Sequence, residues 1–213
     1  TTICAYAFQN CTALESIDIP DSVTTMAADA FLNCTNLAEV GYPTSWSITW
    51  DYKNRIYYSD GDGDYRSPFR GCTSLKMITI DEGVTFIPKH AFRNVTALEE
   101  VVLPETLTSI SVYAFDGCTG LKTIDLNQGL EMIDSYAFQN CTGMTGGVTI
   151  PAAVTTIGDY AFYYCSGLNG KLIIEAGTKT IGAKAFYYCS KLTGVELGNG
   201  ITSIGSYAFY NCT

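Results

Sequence analysis

The chain is 213 residues long, 47% of them hydrophobic, and its 21 acidic residues outnumber 12 basic ones, giving a net charge of −9. This composition supplies a core and argues against disorder, while the absence of any Lys or Arg cluster makes nucleic acid and anionic membrane surfaces poor partners. No apolar run approaches the roughly 18 residues of a membrane-spanning helix, so no membrane insertion is expected of this segment.

A phenylalanine recurs along the chain, at Phe8, Phe31, Phe69, Phe92, Phe115, Phe138, Phe162, Phe186 and Phe209, in steps of 23 or 24 residues with one step of 38. Such a period marks a solenoid, in which one supersecondary unit stacks on copies of itself. The first full unit begins at Leu14 and runs through Ile17, Ile19, Pro20, Val23, Met26, Ala30, Phe31 and Cys34. Alternation at Ile17-x-Ile19 predicts a short strand with both side chains on one face. The β-branched step at Val23-Thr24-x-Met26 predicts a second strand. The Ala-Phe-x-x-Cys spacing predicts a single helical or 3₁₀ turn carrying Phe and Cys on one side.

After Val40 the register is lost, and an insertion over 41–67 separates this unit from the next. It holds both tryptophans, Trp46 and Trp50, with Tyr52, Tyr57 and Tyr58. The alternation Trp46-x-Ile48-x-Trp50-x-Tyr52, a turn at Lys53-Asn54 and then Arg55-Ile56-Tyr57-Tyr58 predict a β-hairpin projecting from the edge. Insertions in repeat arrays map to loops that often lie on the binding face, and Trp and Tyr are favoured at interfaces. These residues are therefore ligand-binding candidates, although the same aromatics could instead pack back on the adjacent units. Asp60, Asp62 and Asp64, separated by glycines, complete the candidate set as an oxygen-rich loop of the kind hard cations favour. The calcium-loop pattern then fails at Tyr65 and Gly71, so the segment reads as an acidic turn, with calcium the alternative, and no metal or other cofactor is assigned.

Regular units resume with Leu98, Val101, Leu103, Leu107, Ile110, Phe115 and Cys118, then with Leu121, Ile124, Leu126, Leu130, Ile133, Phe138 and Cys141. The 24-residue units carry an extra residue near Gly146-Gly147 and Gly170-Lys171, where a bulge is expected. Eight cysteines fall three residues after the Phe, and Val95 takes that place once, which suits a small buried apolar site with a free thiol. Disulfides between neighbouring copies are disfavoured, because their Cβ atoms point the same way at the interstrand spacing of about 4.8 Å. The ninth cysteine, Cys4, takes a place where other units carry Gly158, Gly182 or Gly205, and is expected at a partly exposed bend. No C-x₂-C pair suggests zinc. His90 is the only histidine, in a column shared with Tyr6, Tyr113 and Tyr136 that reads as a partly exposed packing site. No thiol or carboxylate pair converges on it, so no catalytic residue is assigned and no enzyme is expected. Asparagines recur two residues after the Phe, at Asn10, Asn33, Asn94, Asn140 and Asn211, pointing to a turn role.

Ala-Phe-x-Asn-Cys-Thr-x-Leu-x-x-Ile-x-Ile-Pro-x-x-Val-Thr-x-Ile-Gly resembles the BspA-like class of leucine-rich repeats, and the resemblance covers the chain outside the insertion. It implies an α/β repeat solenoid, a leucine-rich-repeat-like right-handed superhelix with short parallel strands and single helical or 3-10 turns. About nine units, counting partial ones at each end, would make one solenoid over 1–213, and the partial ends suggest a fragment of a longer protein. Members of that family are mostly surface-exposed or secreted bacterial proteins, with some in protozoa, and those characterised act as adhesins or binding proteins. The resemblance thus implies non-catalytic recognition of a host or neighbouring-cell protein or glycan at the cell surface. A structural spacer is the alternative, and end-to-end self-association through the truncated repeats is a further expectation.

Overall fold

The computed structural model describes residues 1–46 and 66–212; the expected hairpin, from Ser47 onward, lies outside them. In chain order the strands are β1 (Thr2–Ile3), β2 (Ser16–Asp18), β3 (Thr25–Met26), β4 (Glu39–Gly41) and β5 (Met77–Thr79). There follow β6 (Phe86–Ile87), β7 (Glu100–Val102), β8 (Ser109–Ile110), β9 (Met132–Ile133) and β10 (Val148–Ile150). The last are β11 (Thr156–Ile157), β12 (Lys171–Ile174), β13 (Thr180–Ile181), β14 (Gly194–Leu197) and β15 (Ser203–Ile204).

Both expected strands form in most units, although Ile124-x-Leu126 forms none, and every pairing among the described residues is parallel. The Ile-x-Ile strands stack as β2–β4, β5–β7 and β10–β12–β14. The second strands stack as β1–β3 and as a six-stranded ladder running from β6 to β15. Two residues suffice for a strand here because each copy extends a ladder already formed by its neighbours. Where residues 47–65 intervene, β4 and β5 are not paired and neither are β3 and β6. At the 24-residue units the backbone bends at Gly146, whose φ is +78°, and at Gly170, just before β10 and β12.

The third side of the coil differs from the expected helical turn: among the described residues there is no helix, and the fold is a β-solenoid. The reason lies in two left-handed residues in every unit but that of Phe69, which has only Gly71, at the second position before and the second position after the Phe. In the first unit these are Tyr6 and Asn10, at φ of 61° and 59°. They reverse alternate amides. Ala7, Gln9 and Cys11 donate within the unit to Cys4, Tyr6 and Phe8, while Tyr6, Phe8 and Asn10 donate across to Asp29, Ala30 and Leu32. A helix needs all its amides aligned along its own axis, and here half of them serve the neighbouring coil. The asparagines take the left-handed conformation that a turn role implies, and Gly71 and Gly117 replace them in two units. At Gly117 a side chain would also collide with Asn94 Oδ1.

The core is a column. Consecutive Phe rings from Phe8 to Phe209 lie 4.8–5.9 Å apart with interplanar angles of 14° or less. Beside them the thiols do more than fill space. Cys34 Sγ donates to the carbonyl of Phe8 at 3.0 Å, and Cys72, Cys118, Cys141, Cys165, Cys189 and Cys212 repeat the contact with Phe31, Phe92, Phe115, Phe138, Phe162 and Phe186. Each of these Phe carbonyls also accepts the N–H of its own unit's third residue on, such as Cys11 for Phe8 and Val95 for Phe92, so both lone pairs are used. Valine can fill the site but cannot supply the second bond. All nine cysteines are free, and Cys4 is exposed as expected; of the eight in the repeat column six are buried, but Cys11 is exposed and Cys212 only partly buried, contrary to the expected burial of the whole column. Burial raises the buried thiols above their ordinary range, Cys72 to about 12.

His90 is buried more deeply than its column led us to expect, whereas Tyr113 and Tyr136 beside it are half-exposed. Its ring stacks on Tyr113 at 5.1 Å. Burial first, then the cations Lys89 and Arg93, push its pKa down to about 3.

Two outcomes are expected. A thiol reagent should modify Cys4 and Cys11 rapidly in the native chain, with the six buried cysteines reacting only in denaturant; native disulfides found by mass spectrometry would contradict this. Unfolded imidazole titrates near about 6.5, so below that pH the unfolded chain takes up a proton that folded His90 refuses. His90 therefore contributes stability in full above pH ~6.5 and loses it as pH falls toward its folded value, at up to ~1.4 kcal/mol per pH unit. Denaturant melts between pH 7 and pH 4 should show a shallower loss for His90→Tyr than for the wild type.

Candidate functional site

Of the eight residues that the sequence singles out, only Trp46 lies within the described residues, and it is core. It is 1% exposed and meets Phe69 and Phe92 edge-on, with ring centroids 6.2 and 6.3 Å away. Tyr42, 5.0 Å from it, is buried against Phe92 as well. The Phe column continues from Phe31 to Phe69 at 5.4 Å, and the indole packs against its side. The Trp46 side chain is therefore packed into the core rather than exposed at the surface. The adjoining backbone is tied down too, since Thr44 donates through both its amide and its hydroxyl to Asp21 Oδ1 at 2.8 and 2.7 Å. These bonds hold the exposed Asp21 carboxyl below its usual range. Trp50, Tyr52, Tyr57, Tyr58, Asp60, Asp62 and Asp64 lie outside the described residues.

The turn side of the coil carries the polar and aromatic side chains that flank each Phe. In the first half of the chain ion pairs form there around two buried aspartates. Asp29, itself buried, is gripped by Arg70 through Nε at 2.8 Å and Nη2 at 3.0 Å, and by Arg66 at 3.1 Å. Arg93 and Asp116 form a similar pair at 2.8 Å. In the last units this side becomes aromatic, through Phe162-Tyr163-Tyr164-Cys165, Phe186-Tyr187-Tyr188-Cys189 and Phe209-Tyr210.

The repeat converts these residues into rows. His90, Tyr113, Tyr136 and Tyr160 stack in succession at 5.1, 4.5 and 4.8 Å. Tyr163, Tyr187 and Tyr210 form a second row at 5.1 and 4.9 Å, and Tyr164 lies 4.7 Å from Tyr188 in a third. Tilted contacts join the rows, Tyr163 to Tyr164 at 4.7 Å and Tyr187 to Tyr188 at 4.9 Å. Lys184 Nζ caps the patch, 5.1 Å above the Tyr160 ring and 5.7 Å from that of Tyr187.

Five of these tyrosines, Tyr113, Tyr136, Tyr160, Tyr164 and Tyr188, hold φ between 58° and 62°. A left-handed non-glycine residue costs roughly 1–2 kcal/mol, and in the other units Asn or Gly serves the place of Tyr164 and Tyr188 more cheaply. Tyr164 is nonetheless 37% exposed, so burial does not explain the choice. Partial burial and neighbouring phenols raise the pKa of Tyr164 and Tyr187. At neutral pH the Tyr164 and Tyr187 hydroxyls are thus uncharged, and the Lys184 amine, its pKa raised first by the Tyr160 hydroxyl, is an ammonium at the edge of the patch. Among the described residues no group of three or more His, Cys, Asp or Glu could hold a metal ion. The doubled Tyr-Tyr before Cys165 and Cys189, where the other units all place Asn or Gly as the second residue, is the sequence signal for this surface.

Comparison with known proteins follows the same repeat. The family described as BspA type Leucine rich repeat region matches in six copies over residues 1–53, 65–169 and 170–213. The structure of the T. pallidum leucine-rich repeat protein TpLRR is 30% identical, with 69% of this chain and 68% of that one covered and a TM-score of 0.63. A leucine-rich repeat protein from Eubacterium ventriosum is 21% identical over 94% of this chain and 53% of its own, with a TM-score of 0.64. The pneumococcal vaccine antigen PcpA shares the fold at 17% identity, covering 99% and 60% of the two chains at a TM-score of 0.54. A search among curated proteins returns no match. The stacked parallel coils, the Phe-x-x-Cys column and the matched repeats together place the chain in the BspA-type leucine-rich repeat family.

Proposed function

We propose that this chain is a non-catalytic binding or adhesion module displayed at a cell surface or secreted, and that its contact surface is the tyrosine face of the last units. The observation that carries the reading is the exposed Tyr164 beside Tyr188, both held in a backbone conformation that Asn or Gly adopts at lower cost. Strained, bulky, solvent-facing residues point to a role outside the fold itself. Tyrosine suits such a role because it offers a large amphipathic contact area with few torsions to freeze. Stacking in rows orders the rings before a partner arrives, which lowers the entropic cost of binding. Membership of the BspA-type family supports the surface location. In this proposal Trp50, Tyr52, Tyr57, Tyr58 and the Asp60, Asp62 and Asp64 loop form a second contact region, without Trp46.

The immobilised protein should be screened by interferometry against extracellular-matrix proteins, host-cell glycoproteins and polysaccharides. For any binder, Tyr164→Ala with Tyr188→Ala should weaken the affinity by tenfold or more, the ~1.4 kcal/mol that one modest hot spot supplies. Circular dichroism should show the ladders intact. A parallel Trp50→Ala, Tyr52→Ala variant reports on the insertion. Binding unchanged in the first variant and lost in the second would move the contact surface to the insertion. No binder in any class would favour a spacer.

A further inference from the structure

We propose that the tyrosine rows of the last units are a site of oxidative cross-linking, at which Tyr164–Tyr188 and Tyr163–Tyr187 couple to dityrosine and tie adjacent coils together covalently. The inference stands on ring geometry and does not depend on whether the face binds a partner. The rings of Tyr164 and Tyr188 are 4.7 Å apart at 11°, and those of Tyr163 and Tyr187 are 5.1 Å apart at 12°. Equivalent residues of successive coils repeat at one stacking distance, so the two near-parallel rings of each pair are held face to face with like groups on neighbouring rings. The phenylalanine column has the same stacking but no hydroxyl to oxidise.

The chemistry needs a one-electron oxidant, such as a peroxidase with hydrogen peroxide. Each phenol gives up one electron and one proton, and the two resulting phenoxyl radicals join through their ortho carbons in a new C–C bond. The two ring hydrogens at those carbons then move to oxygen and restore both phenols. Two hydrogens leave the protein overall, and one peroxide is reduced to two waters. Rings already held in contact couple far faster than rings on separate molecules, because the encounter entropy has been removed beforehand. The tilted contacts of Tyr163 with Tyr164 and of Tyr187 with Tyr188 give a radical formed on one row access to the next. Competing sulfur is withheld. Cys165 and Cys189, behind these rows, are buried and donate to the carbonyls of Phe138 and Phe162, and the thiolate is the form that oxidants attack readily.

The test is to treat the intact chain at low micromolar concentration with peroxidase and hydrogen peroxide, isolate the monomer, and map linked peptides by mass spectrometry alongside dityrosine fluorescence. Denatured chain serves as the positive control for the oxidant. Links joining Tyr164 to Tyr188 and Tyr163 to Tyr187, each two hydrogens lighter, are expected in the monomer. Tyr188→Phe keeps the stacked ring and should abolish the first link while leaving the second. The oxidised monomer should also unfold at higher denaturant than the untreated one. Dityrosine found only between molecules, only in the denatured control, or between tyrosines that are not row neighbours would overturn the proposal.

Discussion

One phenylalanine per coil sets the pitch of the whole molecule. Its ring stacks on the rings above and below, and in most units its carbonyl accepts the amide of its own coil and the thiol of the next. Both interactions act along the solenoid axis, and both demand a separation near 5 Å. The β ladders on the other two sides have an interstrand spacing of about 4.8 Å, so the three sides share one repeat without strain. This agreement lets strands of two or three residues persist. Each coil contributes little alone, and stability accumulates through nearest-neighbour contacts.

The same pitch explains the turn side. To point alternate amides at the neighbouring coil, the chain enters the left-handed region twice in every unit but that of Phe69, and it uses Asn, Gly, Asp, His, Lys and Tyr to do so. Once the backbone is fixed in this way, the side chains at these positions are free to vary, since the core is already closed by Phe and Cys. Evolutionary or functional variation can therefore write ionic pairs into one half of the array and tyrosine rows into the other. Stacking amplifies the choice, because any residue repeated in two successive units meets itself at contact distance. Tyrosine, harmless as a single surface residue, becomes a continuous aromatic network.

Trp46 shows the opposite case. The repeat is interrupted there, the Phe column continues from Phe31 to Phe69 at 5.4 Å, and the second-strand ladder does not cross the gap. Trp46 packs against the side of that column with Tyr42 beside it, and Ser67 anchors the far side by donating to the Ala91 carbonyl at 2.7 Å. An aromatic beside an insertion thus joins the core and is not displayed from it.

The sequence by itself determined the repeat, the two parallel strands of most units, the free cysteines with six of the column buried, and the turn role of the asparagines. Each of these depends on a local period or on the geometry of one copy against the next, and translation along an axis preserves both. Only the tertiary structure decided what the Ala-Phe-x-x-Cys segment would be. An i, i+3 spacing fits a helical turn and a left-handed turn equally well, and the choice rests on whether the amides serve their own coil or its neighbour. It likewise decided that Trp46 faces inward and that Tyr163, Tyr164, Tyr187 and Tyr188 form one surface. Aromatic side chains carry the same apolar area in a core or at an interface, and only the neighbours that surround them in three dimensions settle which it is.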